Sequence, residues 1–222
     1  MSTDTDPAPP ARSTKQDWVL AGLRILITEG IDQVKILRLA QDLGVARSSF
    51  YWFFSDRQTL LDTLLAEWSR KNTGAITNRA NAKTATITEA VYRVFECWTD
   101  DRLFDARLDF AIREWARRDP GVRQSIDAAD NERISALSGM FRRHGFDRQP
   151  AFVRARILYF TQIGYYALVK DESIRARQSL VDDYVIGFTG QTPLPGEHAD
   201  FQKFLEDLPN PVPAGGSIEN TD

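Results

Sequence analysis

The stretch Gly30 to Leu61, GIDQVKILRLAQDLGVARSSFYWFFSDRQTLL, decides the fold of this chain. Its apolar residues recur at spacings of three and four, which is the period of a helix with one buried face. The pattern predicts a short helix from Ile36 to Leu43, a break at Gly44 and a second short helix from Arg47 to Phe54. Two short helices joined by a tight turn indicate a helix-turn-helix, whose second helix lies in the major groove of DNA.

The sequence on both sides of this stretch is also helical in pattern. Lys15 to Glu29 carries apolar residues on one face, and Gly30 follows at a position where helices commonly end. Ser55 to Gln58 predicts a capping box that opens a long fourth helix. Further helices are predicted at Thr86 to Trp98, Leu103 to Trp115, Pro120 to just before Gly145, Ala151 to Val169 and Ile174 to Phe188. The expected fold class is all-α, with an N-terminal three-helix bundle that contains the helix-turn-helix and a larger C-terminal helical domain.

Composition predicts how the chain is divided. Residues 1–13 are rich in Pro, Ser, Thr and Asp, which is typical of a disordered arm. Residues 14–58 are predicted to form the helix-turn-helix domain and residues 59–190 the larger helical domain. Residues 191–222 contain several prolines and are predicted to be a loose tail with one short amphipathic stretch.

The composition also excludes several classes of protein. The chain has 222 residues, of which 42% are apolar and 27% charged, as in an ordinary globular protein. Its one cysteine, Cys97, and its two histidines leave no basis for an internal disulfide or a metal cluster. The sequence lacks a membrane-spanning apolar stretch and a basic secretory signal. We therefore expect a cytoplasmic protein with no cofactor, no metal and no membrane partner.

The second short helix begins with residues that suit DNA. Arg47, Ser48 and Ser49 stand at its start, where they can reach base edges or phosphates. Arg57 begins the next helix, where its charge and the free backbone N–H groups would attract a phosphate. Trp52 is predicted to face outward, and an exposed tryptophan indicates contact with a partner.

The same stretch resembles the DNA-binding head of the tetracycline-repressor (TetR) family of regulators. It aligns without a gap to the family pattern of a glycine, a helix ending in Ile-Ala, then Gly-Val-Ser, Tyr-x-His-Phe and Lys-Glu-x-Leu. The matching residues are Gly30, Leu39, Ala40, Gly44, Val45, Tyr51, Phe54, Leu60 and Leu61. The resemblance implies a homodimeric transcriptional regulator, more often a repressor, that binds a palindromic DNA operator and responds to a small-molecule effector.

Four positions depart from the family pattern. Ala46 replaces the serine that caps the recognition helix, and Phe53 replaces a histidine expected to contact the DNA backbone. Lys35 replaces a threonine and Arg57 replaces a lysine, so both positions carry a positive charge. The residues expected to contact DNA are Lys35, Ile36, Ala46, Arg47, Ser48, Ser49, Tyr51, Trp52 and Arg57.

The resemblance implies that the last two long helices form the dimer interface, because family members pair these helices in a four-helix bundle. Gly164 is costly inside a helix and therefore indicates a close helix approach. The expected interface residues are Ile157, Phe160, Thr161, Gly164, Tyr165, Leu168, Ile174, Val181, Tyr184, Val185 and Phe188. Either apolar stripe could instead face the protomer's own core.

The resemblance also implies an effector site inside the larger domain. Its candidate lining residues are Phe95, Trp98, Phe110, Arg113, Trp115, Phe141 and Tyr165. Each aromatic residue could instead be ordinary core. Arg113 could orient a polar group of the ligand or pair with a neighbouring side chain.

Two other functions remain open from the sequence. One is an all-α enzyme, but the chain has no HExxH, glycine-rich phosphate loop or G-x-S-x-G elbow, so no catalytic residue is nominated. The other is a helical module that binds a ligand or a protein with weak or no DNA binding, because Ala46 and Phe53 remove two features of the family pattern.

Overall fold

The computed structural model describes residues 13–168 and 179–208, and no strand occurs among them. The predicted all-α fold is confirmed. The arm before Ser13, the segment that contains Ile174 and the end of the tail lie outside the described residues. The α-helices are α1 (Lys15–Glu29), α2 (Ile36–Leu43), α3 (Arg57–Trp68), α4 (Gly74–Asn81), α5 (Ile87–Thr99), α6 (Ala106–Ala116), α7 (Pro120–Arg143), α8 (Arg148–Ala167), α9 (Val181–Thr189) and α10 (Pro195–Glu206).

The N-terminal head is built on α1, which begins and ends where the sequence predicts. Thr14 and Asp17 exchange hydrogen bonds across its first turn, so two otherwise free backbone donors are satisfied. Gly30 ends the helix with φ 85°. Trp18 on its inner face is fully buried and meets the ring of Phe50 edge-on at 5.2 Å. This contact ties α1 to the second half of the helix-turn-helix.

Gly44 makes the turn of the helix-turn-helix. It ends α2 in the left-handed conformation with φ 65°, which a residue with a Cβ adopts only at a cost. The N–H of Val45 then donates to the carbonyl of Ala40 at 3.0 Å. The predicted bounds of α2 are confirmed, and Leu39 and Ala40 lie in the core of the head as the pattern requires.

The second helix of the motif differs from the prediction. Arg47–Trp52 is a 3₁₀ helix and stops short of Phe54, whereas the sequence predicted a helix through that residue. Ala46 provides no side-chain cap, and the hydroxyl of Ser49 donates to the Ala46 carbonyl at 2.6 Å. Hydrogen bonds over three residues tighten the turn and make a short, narrow helix.

α3 carries the chain from the head into the larger body. Its N-cap is Asp56, whose carboxylate accepts the N–H of Thr59 at 2.8 Å, so the cap lies one residue after the predicted Ser55. On α1, a Cβ added at Gly22 would lie 3.1 Å from the side chain of Leu64, so the two helices are in close contact. α3 then continues through a π-helical segment into α4.

Buried apolar residues form two clusters. The head cluster includes Leu60, Leu61 and Leu64 of α3, and it extends onto α6 through Ile112 and onto the start of α7. The body cluster fills the space among α4, α5, α7, α8, α9 and α10. α6 therefore contacts the head through α1 and the body through α7.

Part of the predicted loose tail is ordered. Pro195–Glu206 is helical and packs on α5 through the buried ring of Phe201. The hydroxyl of Thr88 donates to the Glu197 carboxylate at 2.6 Å, which holds the start of the helix. Proline is favourable in the first turn of a helix because its missing N–H is not needed there. The sequence interpretation had taken Pro195 as a mark of irregular chain.

Asp109 on α6 is a fully buried carboxylate held from three sides. Its Oδ1 accepts the indole N–H of Trp68 at 2.8 Å and a guanidinium N–H of Arg133 at 3.0 Å. Its Oδ2 accepts Nε–H of Arg113 at 2.9 Å. Arg133 is itself fully buried and donates from Nε to the hydroxyl of Thr73 at 3.0 Å. A buried ion is tolerated only with this degree of pairing.

Asp130 and Tyr159 complete this buried network. Arg113 donates two N–H groups to Asp130, at 2.7 and 3.0 Å. The hydroxyl of Tyr159 donates to Asp130 at 2.7 Å and accepts from Arg133 at 2.9 Å. Asp109, Asp130, Arg113 and Arg133 thus contribute two charges of each sign, so the network is neutral. It joins α3, α6, α7, α8 and the π-helical segment Ser69–Thr73.

In the described ranges, no helix has the length and apolar character needed to cross a bilayer. The same residues contain no group of three or more His, Cys, Asp or Glu side chains that could hold a metal ion. Burial raises the pKa of the Cys97 thiol to about 12, so this side chain behaves as a small core residue.

Replacing Asp109 with Asn should lower the free energy of unfolding by about 3–5 kcal/mol, because it leaves the buried guanidinium of Arg133 and the half-buried one of Arg113 short of a counter-charge. Urea unfolding of the two proteins measures the difference. Asp127→Asn is the matched control, since Asp127 pairs with Arg123 on the exposed surface of α7. Its cost should stay below about 1 kcal/mol. Equal effects of the two substitutions would contradict the structural role of the network.

Acid should destabilise the protein partly through the same carboxylate. Burial raises the pKa of Asp109, but the charges of Arg133 and Arg113 and the Trp68 hydrogen bond outweigh burial and lower it below its usual value. The stabilisation is therefore present above the unfolded pKa of about 3.9 and is lost as pH falls through the folded value. Unfolding curves below about pH 4 should show a smaller loss of stability in Asp109→Asn than in the parent chain.

Candidate nucleic-acid interface

The outer face of the head is formed by Arg47–Trp52. Phe50 points inward and is fully buried against Trp18. Arg47, Ser48 and Tyr51 are exposed on the other side of the helix, and Trp52 is 80% exposed. Tyr51 is also exposed, although one edge of its ring packs on Phe50 at 5.4 Å. The outward direction predicted for Trp52 is confirmed.

Polar groups on this face lie beside one another. A terminal nitrogen of Arg47 is 3.5 Å from the hydroxyl of Tyr51, one helical turn later. Ser48 is exposed between them. Ser49 is half-buried and its hydroxyl is engaged by the Ala46 carbonyl. Of the predicted polar contacts on this helix, Arg47, Ser48 and Tyr51 therefore remain available to a partner.

The start of α2 supplies a second part of the same face. Lys35 is exposed at the N-cap position, with no hydrogen bond from its side chain to the helix. The free N–H groups of the first turn and the lysine charge both favour an anion there. Ile36 is half-buried and packs against the head cluster, so its side chain serves the core rather than the outer face.

Arg57 is engaged inside the head, contrary to the prediction that it is presented to a phosphate. Its Nε donates to the carbonyl of Val34 at 2.6 Å, and a terminal nitrogen donates to the carbonyl of Ile31 at 2.9 Å. Two charge-assisted hydrogen bonds to backbone fix the connection between α1 and α2. The sequence could not show this contact, because the partners are 23 and 26 residues away.

Lys15 is a basic residue near this face that the sequence interpretation did not single out. It is exposed at the start of α1, and its Nζ lies 5.4 Å from the ring centroid of Phe54. Phe54 lies two residues after the end of the 3₁₀ helix. The sequence shows that Lys15 opens α1 directly after the Thr14 cap. It does not show that this helix end lies beside Phe54, because the two residues are far apart along the chain.

The predicted dimer residues on α8 form an exposed apolar face. Ile157 is 50% exposed and Phe160 is 48% exposed, and Phe152 and Val153 extend the face toward the start of the helix. Leu168 and Thr161 are exposed, and Gly164 and Tyr165 are half-buried. The guanidinium of Arg156 lies over the rings of Phe152 and Phe160, at 5.5 and 5.1 Å.

The residues predicted to form a dimer stripe on α9 are partly exposed and partly buried. Tyr184 is exposed, but Val181, Val185 and Phe188 are buried in the protomer's own core. Phe188 packs edge-on against Phe95 of α5 at 6.2 Å. The prediction that these three residues line a dimer interface is therefore wrong. The helical period of α9 is the predicted one, but the stripe it defines faces the core.

Two of the predicted effector residues have other roles. Trp115 is buried in the head cluster and not in the body. Arg113 is paired with Asp109 and Asp130 in the buried network. The alternative that Arg113 pairs with neighbouring side chains is therefore the one the structure supports.

The remaining predicted effector residues lie in the body but in different contacts. Phe141 is fully buried and packs edge-on against Phe146 at 5.3 Å. Phe95 and Trp98 pack together at 5.8 Å. Phe110 instead contacts Tyr166, at 6.5 Å, and Tyr165 is half-buried on the neighbouring position.

Tyr166 is the aromatic residue that the sequence interpretation missed. Its ring stacks on Phe104 at 6.0 Å, and its hydroxyl donates to the carbonyl of Trp98 at 3.1 Å. It lies seven residues after the buried Tyr159, which places both on the same face of α8. That spacing was visible in the sequence.

A family model described as bacterial regulatory proteins, tetR family, matches residues 19–64. The matched stretch contains most of α1, all of α2 and Arg47–Trp52, and most of α3, which is the head and the start of its connection to the body. No curated protein sequence matches the chain.

Solved structures of similar fold cover most of the chain. The fatty acid degradation regulator FadR from Bacillus halodurans has 14% identity and a TM-score of 0.59, covering 84% of this chain and 97% of that one. A transcriptional regulator from Rhodococcus sp. Rha1 has 14% identity and a TM-score of 0.57, covering 87% and 97%. The regulator FadR from Bacillus subtilis, in complex with stearoyl-CoA, has 16% identity and a TM-score of 0.52, covering 87% and 96%.

A helical body that carries a helix-turn-helix head with a polar, aromatic outer face is an arrangement that DNA-binding proteins use. The head sequence thus matches the tetR family of bacterial regulatory proteins over residues 19–64, and the fold over most of the chain is similar to that of solved transcriptional regulators.

Trp52→Ala should leave the free energy of unfolding unchanged within about 0.5 kcal/mol, because the side chain contacts solvent. Phe50→Ala should cost about 3–5 kcal/mol, because it opens a cavity beside Trp18. Urea unfolding of both variants measures the contrast. A large loss of stability in Trp52→Ala would contradict the exposed outer face.

Proposed function

We propose that the chain is a homodimeric transcriptional repressor that binds a palindromic DNA operator and is modulated by a small-molecule effector. Residues 14–58 bind DNA in this proposal, and residues 59–190 hold the dimer interface and the effector. The carrying observation is the exposed Trp52 beside Arg47 and Tyr51 on a short helix whose inner side is locked into the head. Its place of action is the cytoplasm, where bacterial DNA lies.

The DNA contact divides between bases and phosphates. Arg47 and Ser48 stand at the start of the 3₁₀ helix, the part of a recognition helix that meets base edges. Lys35 and Lys15 flank it with positive charge suited to phosphates. Tyr51 has a hydroxyl for a phosphate oxygen. This set replaces the one that included Arg57.

Dimerisation supplies the second half-site. One short helix contacts few base pairs, so a pair of heads about 34–36 Å apart is needed for a specific site. The apolar face of α8 supports such pairing, since Ile157, Phe160 and Leu168 are large, exposed and on one helix. Tyr184 of α9 is also exposed and would extend the interface.

In this proposal the effector binds in the body, near the cluster of aromatic side chains formed by Trp98, Phe104, Phe110 and Tyr166. These side chains are close to the buried network, since Arg133 lies 5.5 Å from the Phe104 ring. A ligand that prefers one arrangement of these groups would shift the position of the head through α3 and so change the affinity for DNA. By linkage, DNA would change the affinity for the ligand by the same factor. The similar fold of the stearoyl-CoA complex supports a body that can admit a ligand.

The first experiment is a fluorescence anisotropy titration of the full chain with the promoter DNA upstream of its own gene. We expect saturable binding that weakens as salt is raised, because Arg and Lys displace counterions from phosphates. An unrelated duplex of the same length is the control and should bind more weakly. A folded dimer with no binding at low salt would instead favour a helical ligand- or protein-binding module.

Arg47→Ala should weaken binding to the operator by about 1–3 kcal/mol if the side chain reads a base, and it should affect unrelated DNA much less. Arg117→Ala is the control, because Arg117 is exposed at the C-cap of α6 and pairs with Glu114 on the surface. Anisotropy titrations of both variants on both duplexes measure the effect. An equal loss on every duplex would assign Arg47 to a phosphate.

Ile157→Glu should convert the dimer to a monomer, because it places a charge in the centre of the exposed α8 face. Leu37→Glu changes an equally exposed leucine on α2 and should leave the dimer intact. Sedimentation velocity distinguishes the species. Dimer formation that survives Ile157→Glu would place the interface elsewhere.

A further inference from the structure

A cleft of about 400 Å³ lies between the head and the body. It is bounded by α1, by the end of α3 with the π-helical segment, and by the start of α6. The residues that line it are Gln16, Leu20, Leu23, Arg24, Ile27, Thr28, Glu67, Arg70, Lys71, Asp105, Arg107 and Leu108. None of the effector residues predicted from the sequence is among them.

The floor of the cleft is apolar. Leu20, Leu23 and Ile27 follow one another along α1 at helical spacing, and Leu108 faces them from α6. Leu20 is 54% exposed, so the head leaves this part of α1 without a covering side chain. The volume is within the range of about 300–1,000 Å³ that small-molecule sites occupy.

The rim of the cleft is basic, and most of its charges are already paired. Arg70 donates to Glu67 through Nε at 3.0 Å and a terminal nitrogen at 2.7 Å. Lys71 lies 3.7 Å from the carboxylate of Asp105. Arg24 forms an ion pair with Asp42 of α2. These three cations are therefore neutralised locally.

Arg107 is the exception on this rim. It is exposed at the start of α6 and makes no ion pair within 4.0 Å with any residue in the described part of the chain. Burial raises the pKa of Asp101, and the positive charge of Arg107 acts in the opposite direction and lowers it. Arg107 is near enough for this effect but does not form an ion pair with Asp101. The cleft therefore has one uncompensated positive charge above an apolar floor.

We infer that this cleft binds a small anionic amphiphile: an alkyl or acyl chain that lies on Leu20, Leu23 and Ile27 and ends in one anionic group at Arg107. A fully apolar ligand would leave Arg107 unpaired, and a polyanion would exceed the single free charge. The inference is independent of the operator proposed above, because it concerns a site between α1 and α6 that binds without DNA.

Occupancy of the cleft would join head to body. Its walls come from α1 on one side and from α6 on the other, so a bound chain contacts both. Such a ligand favours the orientation of the head in which α1 and α6 are separated by the width of the bound chain. It therefore changes DNA affinity only if the DNA-bound form has a different width.

The test is isothermal titration calorimetry of the full chain with dodecanoate below its micelle concentration and without DNA. We expect saturable binding of one molecule per protomer. Dodecanol and dodecyltrimethylammonium, which share the chain but lack the negative charge, should bind about tenfold more weakly or worse. No saturable binding of dodecanoate, or equal binding of all three, would overturn the proposal.

Two variants locate the site. Arg107→Glu and Leu20→Glu both change exposed side chains, and each should weaken dodecanoate by about tenfold or more. Their matched controls are Arg117→Glu on the same helix and Leu37→Glu on α2, which should bind like the parent chain. Binding that is unaffected by Arg107→Glu and Leu20→Glu would place the ligand outside the cleft and refute the inference.

The two proposals fail separately. Loss of operator binding in a chain that still binds dodecanoate at Arg107 would overturn the DNA proposal and leave the cleft site in place. Normal operator binding in a chain that shows no calorimetric signal with dodecanoate would do the reverse.

Discussion

The buried carboxylate of Asp109 sets the arrangement of the whole molecule. Removing a charge from water costs several kcal/mol even after relaxation, so the groups that surround Asp109 must be in place together. Those groups come from the base of α3, from α6 itself and from α7, and Tyr159 of α8 closes the network. A purely apolar core would tolerate small slips between these helices. A carboxylate with three directional donors tolerates far less.

This constraint makes α3 a rigid connection between head and body. At its head end, Leu60, Leu61 and Leu64 are buried, and Gly22 allows α1 to approach so closely that no added methyl group would fit without movement. At its body end, the Trp68 indole is hydrogen-bonded to Asp109. A displacement of α6 must therefore pull α3 along or break that hydrogen bond, and a displacement of α3 must carry the head.

The π-helical segment after Trp68 fits the same interpretation. π-helical turns are rare and occur mainly at functional sites, because they add a residue to a helix and turn its face. Here Asn72 and Thr73 become buried and reach Asp105 and Arg133. The amide of Asn72 donates to the carbonyl of Asp105 at 2.9 Å and accepts its N–H at 3.1 Å, which closes the start of α6 onto the segment.

Much of the fold could be predicted from the sequence, because its signals are local. Caps, glycines and apolar spacing act over one or two turns, so α1 and α2 were placed to the residue and the end of α7 at Gly145 was found. The cap at Asp56 was missed by one residue, since Ser55 and Asp56 are both good caps and only the packed structure chooses between them.

The site was predictable only where it depends on the motif. The outward direction of Trp52 is predictable because Phe50 and Phe54 on either side of it face inward. The predictions for Arg57, Arg113 and Val185 were wrong, because their partners are distant in the sequence. Helical period identifies the apolar face of a helix, but it does not show whether that face packs in the core or against a second chain. For an arginine the ambiguity is greatest: the same side chain that binds a phosphate at a surface also binds carbonyl groups or a buried carboxylate.

The two kinds of exposed aromatic and apolar surface demand different partners. Trp52 and Tyr51 are exposed beside Arg47, so a partner there must offer both flat apolar surface and acceptors for hydrogen bonds, which a nucleic acid does. Ile157 and Phe160 are exposed with Arg156 already folded over the neighbouring rings, which leaves little unmet polar demand. Water is a poor partner for both surfaces, and a second copy of the α8 face would cover the second surface with side chains of the same apolar kind. The proposed partners therefore differ: a nucleic acid at the head, where hydrogen-bonding groups accompany the exposed rings, and a second copy of the chain at α8, where the exposed side chains are mostly apolar.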